Sequence, residues 1–297
     1  YRAFDMTRLA QHITIGGIVE MDHAEEPDSQ VWVVRADGQL PAMTFRRQED
    51  VVGWSRHILG GAFGTGDAIV ESVSVIAGSN GAGQHHDSTS RDEVWIQVKR
   101  TINSATVRYI EMFERDYDTT HDATDAIYSD SCITYSGGST STITGLGHLE
   151  GQTVKVWANS AVQADKVVSS GSITLDTAST KVQIGLSFTH KLTTLKIEGG
   201  NKAGTSVGKI KRFSGVTFVL LNSHTIEYGP SPSELTKNDL REVSDYMDSG
   251  TPLYTGELAV EFDGNWESDP RIYIESDDPA PFTVLAIAPE VKINALI

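Results

Sequence analysis

The strongest constraint on this chain is a two-residue rhythm interrupted by turn residues. In Gly151-Gln-Thr-Val-Lys-Val-Trp157, Gly171-Ser-Ile-Thr-Leu175 and Lys181-Val-Gln-Ile-Gly-Leu186 an apolar side chain recurs at every second position. Val154, Val156, Ile173 and Leu175 alternate with polar neighbours, and Gly or Ser bounds each pair. Successive side chains of a strand point to opposite faces, so the rhythm marks half-buried antiparallel strands. The stretch from Ile143 to Leu186 reads as a compact β-module connecting the segments on either side of it, and it carries no catalytic signature.

The rhythm extends in both directions. Val31-Trp-Val-Val-Arg-Ala-Asp-Gly38 runs into an Asp-Gly turn and Leu40-Pro-Ala-Met-Thr-Phe45 returns, a strong short-range hairpin signal. Val51 to His57 and Val70 to Ile76 come next as strands. Val94 to Thr101 then turns through Asn103-Ser104 and returns as Thr106 to Phe113. The dipeptides Val31-Trp32 and Val94-Trp95 hold equivalent places on the two hairpins. A repeated small meander is the sequence form of a β-propeller blade. Two units cannot close a propeller, so further blades are expected upstream or from elsewhere.

Toward the C-terminus, Lys209 to Leu221 is the longest strand of its region, with a bend expected at Gly215. Gly229-Pro-Ser-Pro232 breaks the chain. Leu258 to Trp266 is expected to pass an Asp-Gly turn and pair with Arg271-Ile-Tyr-Ile-Glu275. Asp277-Asp-Pro-Ala-Pro281 is a rigid turn before Phe282 to Pro289. Helical signals are weak, amounting to a turn or two over Arg8 to His12 and Leu235 to Met247. Small polar residues fill the loops Gly60 to Gly66 and Gly78 to Ser90, an Asp- and Thr-rich linker spans Tyr117 to Tyr135, and Gly199 to Gly204 leads into the last region. The expected fold is mostly β: incomplete or partial β-propeller-like repeats over residues 1–117, then a central β-module over 118–195 and a C-terminal β platform module over 196–297. The last two are expected as small antiparallel β-sandwich or barrel modules.

Composition narrows the function classes. A chain of 297 residues is long enough for two or three cores, and 39% hydrophobic with 22% charged residues excludes wholesale disorder. No apolar run approaches the roughly 18 to 20 residues of a membrane helix, so no membrane-spanning segment is expected. The first residues show neither an initiator Met nor the apolar core of a signal peptide, which points to a chain continued upstream. Cys132 stands alone, so there is no disulfide framework or cysteine zinc site, as fits assembly in a reducing cytoplasm. A formal charge of −16 argues against tight binding of duplex DNA. Such a surface aids solubility, and facing DNA it repels the phosphates and lets the duplex slide.

No enzyme signature emerges. His85-His86-Asp87 offers metal-ligand chemistry, but adjacent residues of an extended loop point apart and no H-x-x-x-H or H-E-x-x-H helix supplies partners. Asp22-His23-Ala-Glu25-Glu26 reads as a solvated loop. Gly61-Ala-Phe-Gly-Thr-Gly66 lacks the Gly-Lys-Ser/Thr end and subsequent helix of a phosphate loop. No G-x-S-x-G elbow is present. Asp277-Asp278 has the residue types of a general acid and base, but its flanking prolines suit a turn. Trp32, Trp95 and Trp157 lie in alternating strands, where core packing is favoured over sugar stacking. Catalytic residues, metal ligands and cofactor-binding residues are therefore expected to be none.

Four passages resemble the tail nozzle (tail tubular protein B) of short-tailed bacteriophages and its relatives. They are Ile143-Thr-Gly-Leu-Gly-His-Leu-Glu-Gly-Gln-Thr-Val-Lys-Val-Trp-Ala158; Gly171-Ser-Ile-Thr-Leu175 with Val182-Gln-Ile-Gly-Leu186; Gly208-Lys-Ile-Lys-Arg-Phe-Ser-Gly-Val-Thr217 with Tyr228-Gly-Pro230; and Tyr254-Thr-Gly256, Gly264-Asn-Trp266 and Asp278-Pro-Ala-Pro-Phe-Thr-Val-Leu-Ala-Ile-Ala-Pro-Glu-Val291. The run from Val31 to Glu114, with Val51-Val-Gly-Trp-Ser-Arg56 and Asp92-Glu-Val-Trp95, is similar to the segment that precedes them. Each motif is short, and the likeness rests on their order and spacing over most of the chain. The missing start and the widened loop Gly78 to Ser90 depart from the pattern and bear on propeller completeness.

The resemblance implies a virion structural protein without catalysis, assembled in the host cytoplasm. It implies a homo-oligomeric ring, commonly a hexamer, coaxial with the tail and pierced by a DNA ejection channel. Tail adaptor subunits would sit above, with fibre or needle proteins nearby, and genome DNA would pass without specific binding. Acidic side chains on one side of the modules are expected to line the channel. Two other readings are a host-receptor or glycan-binding tail protein, using exposed Trp and Tyr, and a tail-associated cell-wall hydrolase, which needs a carboxylate pair in a cleft.

Overall fold

The structure, a computed structural model, describes residues 5–77, 91–198, 200–201 and 204–294. It is mostly β and built from several antiparallel sheets. The chain packs as two units. One comprises Tyr1–Arg115, Thr144–Thr153 and Val167–Ile173, and the other Asp116–Ile143, Val154–Lys166 and Thr174–Ile297.

In the first unit a single helical turn, α1 (Gln11–Thr14), precedes β1 (Ile18–Ala24), β2 (Gln30–Arg35), β3 (Leu40–Arg46) and β4 (Val51–His57), which form one sheet in that order. A small ladder of β5 (Ala62–Phe63) and β6 (Gly66–Asp67) leads to a second sheet of β7 (Ile69–Ile76), β8 (Glu93–Ile102) and β9 (Ala105–Met112). β8 keeps the two-residue rhythm without a lapse: Val94, Ile96, Val98, Arg100 and Ile102 are buried and the residues between them are not. It turns into β9 through Asn103 and Ser104 at φ 48° and 63°. Left-handed values at both positions give the turn whose twist matches the strands. The two sheets share one core, where Trp32, Val34, Leu40 and Ala42 meet Val70, Val73, Val94, Ile96 and Val98.

The two sheets also meet along β1 and β7. There Asp22 of β1 accepts the Val75 N–H at 2.6 Å, and Glu20 accepts the Val73 N–H at 3.4 Å and the Ser72 hydroxyl at 3.2 Å. Carboxylates thus satisfy edge donors that no neighbouring strand reaches. The two Val-Trp dipeptides differ in parity. Trp32 lies in the core with its ring tilted against Phe113 at 4.7 Å, whereas in the second it is Val94 that is buried while Trp95 donates to Glu93 at 3.0 Å. A one-residue slip sends a side chain to the opposite face, so the hairpins are not copies side chain for side chain.

The glycine-rich opening of the central motif is a knot of turns belonging to this unit. The Glu150 carboxylate accepts the N–H groups of Ser170 and Gly171 at 2.8 and 2.7 Å, and Leu146 N–H donates to the Gly171 carbonyl at 2.9 Å. Leu146 and Leu149 are buried beneath it, and the Tyr109 hydroxyl donates to the His148 carbonyl at 2.7 Å.

In the second unit β10 (Asp130–Thr144), β11 (Thr153–Ala158), β12 (Ala161–Val167) and β13 (Ser172–Leu186) form a sheet in the order β10-β13-β11-β12, with their boundary residues counting with the first unit. β11 and β13 pair with Trp157 opposite Gln183 and Val156 opposite Ile184, and the alternating Val154 and Val156 are buried. β14 (His190–Thr193) and a short ladder of β15 (Gly200–Asn201) and β16 (Gly204–Thr205) come next. The remaining strands are β17 (Lys211–Ser223), β18 (Thr225–Ser231), β19 (Glu234–Asp239), β20 (Tyr254–Glu261), β21 (Tyr273–Ser276) and β22 (Thr283–Ile293). The sheets β20-β17-β22 and β14-β21-β18-β19 share a core of Phe213, Phe218, Leu220, Ile226, Ile272 and Ile274. The bend expected at Gly215 is a register shift between Phe213 and Gly215 against β22.

Three local expectations are corrected. Leu258 to Trp266 does not pair with Arg271 to Glu275: β20 joins β17, whereas β21 joins β14 and β18. Residues 262–270, with buried Phe262 and Pro270, cross from one sheet to the other, so both strands reach the same core from opposite sides. Leu235 to Met247 holds no helix; its first part is β19, paired with β18. Gly229-Pro-Ser-Pro232 does not break the strand at Gly229, because β18 continues to Ser231, which pairs with Glu234 across the turn.

Candidate functional site

The acidic pair Asp277-Asp278, just beyond β21, collects cations from neighbouring strands. Asp277 lies 2.9 Å from Lys155 Nζ, which also reaches Asp165 at 3.3 Å. Asp278 accepts the Thr225 hydroxyl at 2.6 Å, and both its oxygens stand 3.2 Å from Lys237 Nζ. His224 Nδ1 is 3.7 Å away, a polar neighbour beyond ordinary hydrogen-bond length. The His224 ring meets Trp157 edge-on, with centroids 5.3 Å apart, and the indole N–H of Trp157 donates to the Ala123 carbonyl at 2.8 Å.

Burial by itself would raise the Asp278 pKa; His224, Thr225 and the Lys237 charge outweigh it and hold the carboxyl well below the usual range. Burial lowers Lys155 and Lys237, but their carboxylate partners more than compensate and leave both raised. An acid–base pair needs its two groups pushed apart in proton affinity, whereas Asp278 is lowered and Lys155 and Lys237 are raised, each toward its charged form. The Thr225 hydroxyl donates to a carboxylate instead of to an imidazole, so it is not primed as a nucleophile. The cluster is an anchor between strands.

The other candidate residues are dispersed. Asp22 faces β7, while His23 Nε2 lies 3.0 Å from Ser29 Oγ. The Gly61 to Gly66 loop is the β5–β6 hairpin, where Lys99 stands 4.4 Å over the Phe63 ring and Gly64 N–H donates to Thr101 at 3.0 Å. His85-His86-Asp87 lies outside the described residues. Among the described residues no three His, Cys, Asp or Glu side chains converge as a metal site. Trp32 and Trp157 are core residues, Trp54 donates to the Met6 carbonyl at 3.0 Å, and Trp266 is 48% exposed.

A feature that the sequence pattern alone does not locate is the outer face of β20-β17-β22. Gly215 sits between Glu261 and Glu290, Thr217 between Ala259 and Ala288, and Val219 between Glu257 and Ala286. All six flanking residues are exposed, while the alternate positions Val216, Phe218 and Leu220 are buried in the core. The result is a patch of small side chains bordered by three glutamates, with Ser214 donating to Glu290 at 3.2 Å and with Arg212 opposite Lys292 farther along the same two strands. Alternation in Glu257-Leu-Ala-Val-Glu261 signals one acidic row; the second row required the pairing of β22.

At the end of the sandwich where β17 begins, a shallow open dimple with a cavity volume of about 10 Å³ is lined by Phe213, Pro230, Phe262, Asn265, Glu267, Pro270 and Arg271. No family model matches the chain, and no curated protein matches it either.

Proposed function

We propose that this chain is a structural component of a bacteriophage tail, one protomer of a nozzle or hub ring around the DNA ejection channel, with no catalytic role. The observation that carries the reading is the glutamate-bordered patch of small side chains on β20-β17-β22, in a chain of formal charge −16. A channel wall for DNA needs low relief and like charge, so that the duplex is repelled evenly and slides. The order and spacing of the motifs that resemble tail nozzle proteins agree with it. In this reading the two meanders of residues 18–112 are partial propeller-like repeats, and the two facing sheets of residues 190–293 are the platform module. Neighbouring protomers cover edges that one chain leaves open, and adaptor and fibre or needle proteins bind the two ends of the ring.

Electron microscopy of the assembled protein tests the proposal. An axial ring with a central channel, six-fold by the resemblance, and with Glu257, Glu261 and Glu290 facing inward is the expected result. A basic lumen, a monomer, or a peripheral trimer pointing away from the tail axis overturns it.

One observation favours a second reading, host-receptor or glycan binding: the half-exposed Trp266, with Asn265 and Arg271 at the dimple nearby. An exposed indole beside polar groups is a sugar-stacking arrangement. Binding on a glycan array that disappears in Trp266→Ala supports this reading against the first.

A further inference from the structure

On the outer face of the β17–β22 ladder, Arg212 lies directly opposite Lys292. Residues paired in this way across antiparallel strands stand about 5 Å apart at Cβ, and like charges so placed repel. The chain carries 40 Asp and Glu against 24 Lys and Arg, so an acidic neighbour is the common lot of its cations. Lys211, next to Arg212, has one: its buried ammonium lies 3.0 Å from Glu198, which Lys196 also approaches at 3.3 Å. Among the described residues Arg212 and Lys292 have no such partner, in ion pairs or in side-chain hydrogen bonds. Glu290, the next outward residue of β22, is roughly 7 Å farther along the strand and accepts the Ser214 hydroxyl at 3.2 Å.

The two cations differ in how they are held. Arg212 is half-buried, and its Nε is out of reach of water and has no acceptor. Its stem is thereby rooted in the protein, and the Nη groups carry the charge outward. Lys292 is exposed and sets a movable point charge beside that planar fork. Fork and point charge together match a phosphate, whose oxygens are tetrahedral: the guanidinium takes two of them and the ammonium a third. A carboxylate has only the two oxygens that the fork alone would use. Gly215, Thr217 and Ala288 beyond the pair are small and leave the approach open.

We infer that Arg212 and Lys292 form a phosphate-binding contact. On the proposed channel wall the phosphate belongs to the DNA backbone, a choice of source that rests on that reading; free phosphate offers the same chemistry. A contact to phosphate reads no base, so it suits a duplex that moves past. Glu257, Glu261 and Glu290 repel the rest of the duplex while each protomer's pair holds one phosphate. Passage then meets a resistance that salt relieves.

Two probes test the contact on the full chain: sodium phosphate against sodium chloride at equal ionic strength in thermal melts, and a labelled DNA duplex in fluorescence anisotropy at rising salt. Phosphate raises the wild-type melting midpoint by about 2 °C and leaves that of Arg212→Gln/Lys292→Gln where chloride puts it. The duplex binds wild type weakly; the double change lowers its affinity at least about tenfold and the salt slope by about one. Lys292→Gln alone, at an exposed position, moves both readouts part of the way with an unchanged urea midpoint, which separates loss of the contact from misfolding. Equal responses of wild type and double variant to both probes, or a response to neither, overturn the contact and leave the ring reading standing. A phosphate response without a duplex response assigns the contact to free phosphate and overturns DNA as its source. A phosphate response in a chain that electron microscopy shows as a monomer keeps the contact and sinks the ring.

Discussion

Arg100 and Glu111 form a two-pronged ion pair inside the first unit: Nη2 donates to Oε2 at 3.0 Å, Nη1 holds the other oxygen, and none of the arginine is exposed. Its Nε donates to the Gly60 carbonyl at 2.7 Å. The parity of β8 dictates this burial, since Arg100 comes after Val94, Ile96 and Val98 on the core face. Desolvating two charges costs more than their attraction returns unless the geometry is good, and removing one partner leaves the other stranded. Glu111→Ala is therefore expected to destabilise the protein by about 3 kcal/mol, measured by urea unfolding. Replacing both residues with apolar side chains should cost clearly less than Glu111→Ala alone.

His190 is enclosed by Phe188, Tyr128 and Phe282, with ring centroids 4.8 to 6.1 Å away. Burial holds its pKa below the ordinary 6.5 and pushes the Tyr128 phenol up to about 12. As pH falls through 6.5 the unfolded chain takes up a proton that the folded one refuses, so stability is full above that value and declines below it. His190→Leu should remove this decline. The urea midpoint of the variant should change less between about pH 8 and pH 5 than that of the wild type.

Asp278 behaves in the same direction at lower pH. Its folded pKa lies below the ordinary 3.8, so its contribution is complete above that value and is lost as pH falls beneath it. Asp278→Asn should be less stable at neutral pH by about 2 kcal/mol and should show a shallower acid transition. Circular dichroism across a pH titration distinguishes this from a uniform loss.

The β8–β9 turn places Ser104 at φ 63°, a left-handed value that costs a non-glycine residue about 1 kcal/mol. Ser104→Gly should raise stability by up to about that amount, and Ser104→Val should lower it. Thermal melts of the two variants should bracket the wild type.

Much of the sandwich architecture could be read from local chemistry. The alternation of Val94, Ile96 and Val98 set a core face, and Asn103-Ser104 and Asp37-Gly38 set their turns. Pairing between distant strands was not readable in this way. Arg271 to Glu275 has the composition of a partner for Leu258 to Trp266, but period-two patterning fixes only which face is buried and is silent about which neighbour shares the ladder. The same gap hid the acidic face, which exists only because β22 brings Glu290 across Gly215 from Glu261. Asp277-Asp278 was correctly placed at a turn, but the residues that gather on the pair, Lys155, His224, Thr225 and Lys237, come from separate strands and loops that no local pattern joins.

The bonds from Glu20 and Asp22 to β7 bear on how the protein behaves at high concentration. A strand border with free donors is a template for any extended peptide that arrives, including another copy in mid-synthesis. Here the template is filled from within by two side chains that carry charge, so an incoming strand meets repulsion where it would otherwise find partners. An apolar pair at these positions would leave the Val73 and Val75 N–H groups without the acceptors that β1 supplies, at a cost of about 1 to 3 kcal/mol for each donor left buried and unpaired.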